Sequence, residues 1–103
     1  MHKLEGMIGL CVRAGRAAFG SEACEALVRG GKLPLVIVAE DASDNTKKRM
    51  QDKCTTYGVT RISFGTVASL AKCTGKGKVS VIGIRDTGFA AAILKIYGGG
   101  YSG

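Results

Sequence analysis

The chain has 103 residues, which is enough for one domain with a single hydrophobic core but not for two. Hydrophobic residues make up 46% of it and charged residues 22%, an ordinary globular composition that excludes an intrinsically disordered chain. A net charge of +7 favours a polyanionic partner, and nucleic acid is the most common polyanion.

The positive charge is concentrated in the second half of the chain. Residues 53–103 carry seven Lys or Arg and one acidic residue, Asp86, whereas residues 1–52 carry eight basic and seven acidic residues. Charge of this sign also keeps a small protein soluble, so charge alone leaves both interpretations open.

The first third of the chain predicts two helices. An apolar stripe at helical spacing predicts a helix from about residue 3 to 13, with these positions facing inward: Leu4, Met7, Ile8, Cys11 and Val12. Two glycines then interrupt the pattern, and Ser21 is the expected N-cap of a second helix over residues 22–29. An alternative for the segment AAFG, between the two helices, is a short extra strand.

The middle third predicts a strand, a helix and a second strand. The continuous apolar run PLVIVAE is typical of a buried strand. We expect Ser43 or Asp44 to cap the following helix, with an inward stripe of Met50, Cys54 and Tyr57. The segment VTRISF alternates between polar and apolar residues and predicts the next strand.

The last third predicts a short helix in TVASLAKCTG, a strand in KVSVIGI and a final helix in DTGFAAAILKIYG, with Asp86 as its cap. The order of elements predicts an α/β fold, a three-layer α/β/α sandwich around a small mixed central sheet. Residues 1–97 would form the domain, and residues 98–103 a flexible glycine-rich tail.

The four cysteines lie at positions 11, 24, 54 and 73. Zinc sites need closely spaced ligand pairs, so we expect no metal, and no other cofactor is indicated. The opening segment lacks the apolar core and cleavage site of a secretory signal, and no apolar run has the length of a membrane span. We therefore expect reduced, mostly buried thiols in a cytoplasmic protein that does not associate with membranes.

The stretch CTGKGKVSVIGI places two lysines among glycines before an apolar strand. A Walker A loop follows a strand and precedes a helix, and here the order is reversed, so a nucleotide loop is excluded. The pair Glu40–Asp41 at the end of a strand has no histidine, metal set or partner acid beside it. Residues of this kind usually cap a helix or face solvent, and we expect no enzymatic activity.

Two segments carry a family resemblance. Residues 31–66, GKLPLVIVAEDASDNTKKRMQDKCTTYGVTRISFGT, and residues 75–94, GKGKVSVIGIRDTGFAAAIL, resemble the kink-turn RNA-binding ribosomal-protein family of the L-seven-Ae and L-thirty-e type. Within that family the bacterial YlxQ-like branch is the most similar. The similarity runs from about Leu4 to Ile96 and implies an α/β/α sandwich, in agreement with the pattern of elements.

Members of this family grip a kink-turn, a sharply bent internal loop of RNA, with the start of the second helix and the loop before the last strand. The resemblance implies that Gly75 and Gly77 let the backbone approach RNA, while Lys76 and Lys78 pair with phosphates. The full set of expected RNA contacts is Gly20, Ser21, Glu22, Lys32, Gly75, Lys76, Gly77 and Lys78, with Arg13 and Arg16 as phosphate contacts nearby.

The first of these regions departs from the family pattern G-x-N-E-x-x-K. An ungapped alignment places Glu22 on the Asn, Ala23 on the Glu and Ala26 on the Lys. A shift by one residue places Ser21 on the Asn and Glu25 on the Lys. Neither register restores the basic residue, so phosphate attraction is retained while base-specific recognition of a kink-turn is in question.

The leading hypothesis is a small RNA-binding protein with a structured RNA partner, a kink-turn or ribosomal RNA, acting on the ribosome or elsewhere in translation. The alternative is a protein-interaction module on the same fold, in which the acidic start of the second helix contacts a protein. The two differ in salt dependence, because phosphate binding weakens steeply as salt rises and an apolar interface does not.

Overall fold

The computed structural model describes the backbone of residues 3–102 and the side chains of residues 3–98. Over this part of the chain, helices and strands alternate throughout. The predicted order is found, with the extra strand present between the first two helices. Their bounds are α1 (Lys3–Arg13), β1 (Ala17–Phe19), α2 (Ser21–Arg29), β2 (Leu35–Val38), α3 (Asp44–Tyr57), β3 (Thr60–Ser63), α4 (Val67–Thr74), β4 (Val81–Ile84) and α5 (Thr87–Ser102).

The strands form one mixed sheet in the order β1-β4-β2-β3. Strands β2 and β3 are parallel, whereas β4 runs antiparallel to both of its neighbours, β2 and β1. Every residue of the two central strands is buried, which explains their continuous apolar sequences. The AAFG segment does form a strand, β1, at one edge of the sheet.

The helices cover the sheet in two groups, which gives the predicted three-layer α/β/α sandwich. Helices α2 and α3 pack against each other and against β4, β2 and β3, while α1 packs against both α4 and α5. Apolar positions in the predicted helices and strands are buried as expected at Leu4, Ile8, Val36, Val38, Met50, Val81 and Ile93.

Two predicted caps are confirmed. The Ser43 side chain accepts a hydrogen bond from the Thr46 N–H, and the Asp86 carboxylate accepts one from the Phe89 N–H at 2.9 Å. Ser21, in contrast, is not a cap. Gly20 occupies the N-cap with a φ of 94°, because the chain turns there directly from an edge strand into α2 in a conformation that only glycine adopts without strain.

The inward position expected for Tyr57 is also wrong, since its side chain is 47% exposed. Tyr57 is the last residue of α3, and Gly58 then reverses the chain in the left-handed region with a φ of 68°. The reversal brings Val59 back onto the core, where its N–H donates to the Cys54 carbonyl. Val59, and not Tyr57, therefore packs against the core at the end of α3.

Helix α5 continues to Ser102, beyond the helix end that the sequence indicates. The helix therefore includes the glycines at 98–100. Flexibility of the tail remains a prediction, and Gly103 and the side chains of residues 99–102 lie outside the described residues. None of the described helices is long and apolar enough to cross a membrane.

Gly83 lets helix α2 and the chain before β2 approach the centre of the sheet. A Cβ atom at this position would lie 2.6 Å from Leu33 Cδ1 and 3.0 Å from Cys24 Sγ. Leu33 and Cys24 are themselves buried, so neither side chain has free space to retreat into. The sheet requires glycine here for packing and not for backbone conformation.

We predict that Gly83→Val lowers the free energy of unfolding by about 2 kcal/mol, because it overfills a packed site. Chemical denaturation monitored by circular dichroism measures the change. Gly6→Ala is the matched control, since it faces open space on a helix and should stabilise the protein by about 0.5–1 kcal/mol. An unchanged stability of Gly83→Val would contradict this account of the packing.

Candidate nucleic-acid interface

The start of α2 lies beside the start of β4. Phe19 of β1 pairs with Ile82, and the N–H of Gly20 donates to the Val81 carbonyl at 3.0 Å. The lysine-glycine segment immediately precedes β4 in the chain. Strand pairing therefore brings together the two regions that the family resemblance implies, which are more than 50 residues apart in sequence.

The loop over residues 75–78, here called the GKGK loop, is exposed at all four positions. Gly75 ends α4 with a φ of 73°, and the Lys76 N–H donates to Thr74 Oγ1 at 3.2 Å. The Lys76 ammonium lies 5.1 Å from the centre of the Phe19 ring, which is a cation–π contact. This contact joins the GKGK loop to the residue before the α2 N-cap.

Two of the expected contact residues, Arg16 and Lys32, lie at the opposite end of the sheet. Arg16 precedes β1, its carbonyl accepts from the Arg85 N–H, and its guanidinium lies 3.9 Å from Asp86. Lys32 precedes β2, whose first residue pairs with the last residue of β4. Gly20 lies beside the first residue of β4 and this end lies beside the last, so the length of β4 places them about 10 Å apart.

Arg13, at the end of α1, is three residues before Arg16 in the chain. The expected cations therefore do not all lie at one end of the sheet. Gly20, Ser21, Glu22 and the GKGK loop form one group, and Arg16 and Lys32 belong to the other end of the molecule. The Arg13 guanidinium lies back along α1 beside Gly9, which faces the Cys73 carbonyl at the end of α4, just before the GKGK loop.

Burial along α2 decides between the two alignments. Glu22, Ala23 and Ala26 are all exposed, as residues that contact a ligand must be. Glu25, which the shifted register uses in place of the basic residue, is only 7% exposed and is bound to α3. Burial therefore favours the ungapped register. The exposed face of α2 carries an acid and two alanines in its first two turns and Arg29 in its last.

Two further lysines, which were not among the expected RNA contacts, lie towards the candidate interface. Strand β2 ends beside the start of β4, with Val38 paired to Val81, so α3 begins at the same end of the sheet. Lys47 and the exposed Lys48 belong to its first turns. The sequence signal that could have indicated them is the KK dipeptide in the segment that resembles the family.

Comparison with known proteins agrees with this architecture. The family model described as "Ribosomal protein L7Ae/L30e/S12e/Gadd45 family" matches residues 2–94. The chain belongs to this family. Two relatives carry the name RNA-binding protein YlxQ: one from Enterococcus faecium is 41% identical over 85% of this chain and 84% of its own length, and one from Bacillus subtilis is 32% identical over 87% and 90%.

Solved structures of similar fold include a protein of unknown function from Bacillus halodurans, with a TM-score of 0.90, 32% identity and coverage of 93% of this chain and 97% of that one. A 15.5kD RNA-binding protein from Giardia lamblia has a TM-score of 0.76 at 21% identity, covering 92% of this chain and 82% of its own. The second similarity concerns the fold alone.

In this member of the L7Ae/L30e family, an ion-pair cluster fixes α2 against α3. The Arg49 Nε donates a hydrogen bond to Glu25 Oε2, and the Lys53 ammonium lies 3.9 Å from Glu25 Oε1. The Glu25 side chain is 9% exposed, whereas Arg49 and Lys53 remain partly solvated. The cluster therefore supplies the partners that a buried carboxylate requires, and it holds the inner face of α2.

We predict that Glu25→Gln lowers the free energy of unfolding by about 1–2 kcal/mol, because Arg49 loses a charged acceptor. A double-mutant cycle with Arg49→Met measures the coupling by chemical denaturation. Glu22→Gln, which removes an exposed charge from the same helix, is the control and should change stability by less than about 0.5 kcal/mol. Equal effects of the two Gln variants would contradict the role of the cluster.

All four cysteines are free thiols, as the sequence predicts, and Cys11, Cys24 and Cys54 are buried. Burial raises the pKa of Cys11 to about 11, with a further contribution from the Asp86 carboxylate, and raises that of Cys24 to about 12. Burial also raises the pKa of Cys54 and Cys73. Thiols held protonated in this way are poor nucleophiles and poor metal ligands.

The described residues also contain no group of three His, Cys, Asp or Glu side chains that could hold a metal ion. Asp41, one of the two acids considered for chemistry, accepts a hydrogen bond from the Val67 N–H at 2.8 Å. Asp41 therefore has a structural explanation: it accepts the first backbone N–H of α4, whose N-cap is Thr66.

The raised thiol pKa values predict a stability that falls at high pH. The folded protein keeps protons on Cys11 and Cys24 above the ordinary thiol pKa of 9.0, where the unfolded chain releases them. This contribution is complete below pH 9 and is lost as the pH rises towards 11–12. Denaturation at pH 8 and at pH 10.5 measures the loss, which should be smaller in the less stable Cys11→Ala/Cys24→Ala variant.

The two proteins differ only in the two thiols, so the difference between their pH dependences isolates the thiol contribution. A pH dependence of the same size in the variant would contradict the assignment.

A count of two or fewer thiols in the denatured, unreduced protein would contradict the free state of the cysteines.

Proposed function

We propose that this protein binds structured RNA through the first turns of α2 and the GKGK loop. The observation that carries the proposal is the adjacency of these two segments, since the family resemblance implicates both and strand pairing places them side by side. The family match and the RNA-binding names of two relatives support the same class of partner. They also indicate a binding protein and not an enzyme, as the sequence analysis expected.

Each part of this surface has a distinct role in the proposal. The Lys76 and Lys78 ammonium groups pair with phosphates, and Lys47 and Lys48 add positive charge from α3. The space beside the Cα atoms of Gly75 and Gly77 is empty: a Cβ atom at either position would have no neighbour within 4 Å. The backbone of the loop is therefore open to close approach by RNA. Phosphate contacts position a bound RNA without reading its sequence.

We further propose a kink-turn or ribosomal RNA as the ligand, and a cytoplasmic role on the ribosome or elsewhere in translation. Contacts between α2 and the RNA bases would be weak, because the exposed residues Ala23 and Ala26 have no side chain that can form a hydrogen bond. Shape and phosphate positions would therefore contribute more to the choice of RNA than the bases at the helix.

A second candidate function is supported by the same helix face. Glu22, Ala23 and Ala26 are exposed, and the Glu22 carboxylate repels a polyanion but does not repel a neutral or basic protein surface. In that case α2 would contact a protein, and the GKGK loop would be a solvated turn. Salt titration of the affinity distinguishes the two functions.

We predict that Lys76→Ala/Lys78→Ala weakens binding to a kink-turn RNA by a factor that shrinks as salt rises. Loss of two phosphate contacts should reduce the slope of log affinity against log salt by about 1.5. Fluorescence anisotropy at several salt concentrations measures both quantities. A duplex of the same length and composition tests whether the bent geometry is preferred.

Lys3→Ala/Lys95→Ala is the matched control, because it removes the same charge from exposed positions on α1 and α5. It should leave the salt slope within error of the parent value. Ala26→Lys restores the family's basic residue and should strengthen binding, more for the kink-turn than for the duplex. An affinity that neither the GKGK loop variant nor salt alters would overturn the proposal and favour the protein-interaction function.

A further inference from the structure

Phe19 is an aromatic residue at the centre of the proposed RNA-binding surface. It ends the edge strand β1, directly before the Gly20 N-cap of α2. Its side chain is half-buried, packed on one side against the hydrophobic core. On another side the Lys76 ammonium lies over the ring, 5.1 Å from its centre.

We infer that the Phe19 ring is a stacking platform for one unpaired RNA base, which Lys76 covers in the free protein. In the complex the base lies on the ring face, and the Lys76 ammonium moves to an adjacent phosphate. The inference rests on the proposed RNA-binding function and deepens it by naming a base contact. It assigns this contact to a residue outside the helix positions that the family resemblance implies.

The ring has the position that such a platform requires. Strand β1 is at the edge of the sheet, and no further strand among residues 3–102 covers its outer side. Core packing holds the ring from behind, which leaves little side-chain entropy to lose when a base stacks on it. Aromatic rings with cationic neighbours are the usual means of holding unpaired bases, because every base has a π-face.

Lys76 can leave the ring without a change in the fold. Its backbone is anchored by the hydrogen bond to Thr74 Oγ1, while the side chain belongs to an exposed loop flanked by Gly75 and Gly77. A cation–π contact at an exposed site is weak. A phosphate can therefore attract the ammonium away from Phe19 at small cost, and the same movement opens the ring to the base.

The ring also packs on the core, so the test must separate packing from stacking. Phe19→Leu keeps an apolar side chain against the core and removes the aromatic face, while Phe19→Trp keeps and enlarges that face. Phe89→Leu is the matched control, because Phe89 is also half-buried against the core but belongs to α5, beyond the far end of β4. Thermal unfolding establishes that each variant is folded.

We expect Phe19→Leu to weaken binding of a kink-turn RNA about 5- to 150-fold, the range for loss of one stacked base. The slope of log affinity against log salt should stay unchanged, because no phosphate contact is lost. Phe19→Trp should bind with at least the parent affinity, and Phe89→Leu should equal the parent protein.

Phe19→Trp also provides a direct optical test, because the protein contains no other tryptophan. Stacking of a base on the indole should quench its emission at saturating RNA. The same Trp variant with Lys76→Met should be quenched as strongly, since the inference does not require Lys76 for stacking.

The outcomes separate this inference from the function on which it rests. If the parent protein binds RNA with the expected salt dependence but Phe19→Leu binds equally well, the platform is excluded and the proposed function is retained. An unquenched tryptophan at saturation excludes the platform in the same way. Absence of RNA binding by the parent protein overturns both.

Discussion

The pairing of β1 with β4 is the constraint on which the candidate interface depends. The three residues of β1 pair with β4, and the Gly20 N–H extends this pairing by donating to the Val81 carbonyl. These hydrogen bonds hold the start of α2 beside the start of β4. The GKGK loop leads into β4, so this short ladder fixes the distance between the two exposed segments. Strand β4 is fixed in turn by β2 on its other side, at the centre of the hydrophobic core.

Most elements of the fold could be predicted because their signals are local. The runs in β2 and β4 are apolar at every position, which occurs where both faces of a sheet are covered. The caps Ser43 and Asp86 act within three residues of their partners. Ser21 and Tyr57 were misassigned because each lies next to a glycine at which the chain turns, Gly20 and Gly58 respectively. Helical periodicity does not predict such turns.

The site was less predictable because its geometry depends on contacts between distant segments. The resemblance indicated Gly20 and the GKGK loop, but strand register decides that Arg16 and Lys32 lie at the other end of the sheet. The Arg49–Glu25 hydrogen bond joins residues 24 positions apart, and nothing in the sequence around Glu25 indicates that it is buried. The contact between Lys76 and Phe19 also requires the folded sheet.

The division of α2 into two faces has an evolutionary consequence. Cys24, Glu25 and Val28 hold the helix in place, while Glu22, Ala23 and Ala26 face solvent and contribute little to stability. Substitutions on the outer face can therefore accumulate without loss of folding. A lineage can change what the helix recognises through single, stability-neutral steps, which allows relatives that share this architecture to diverge in their ligands.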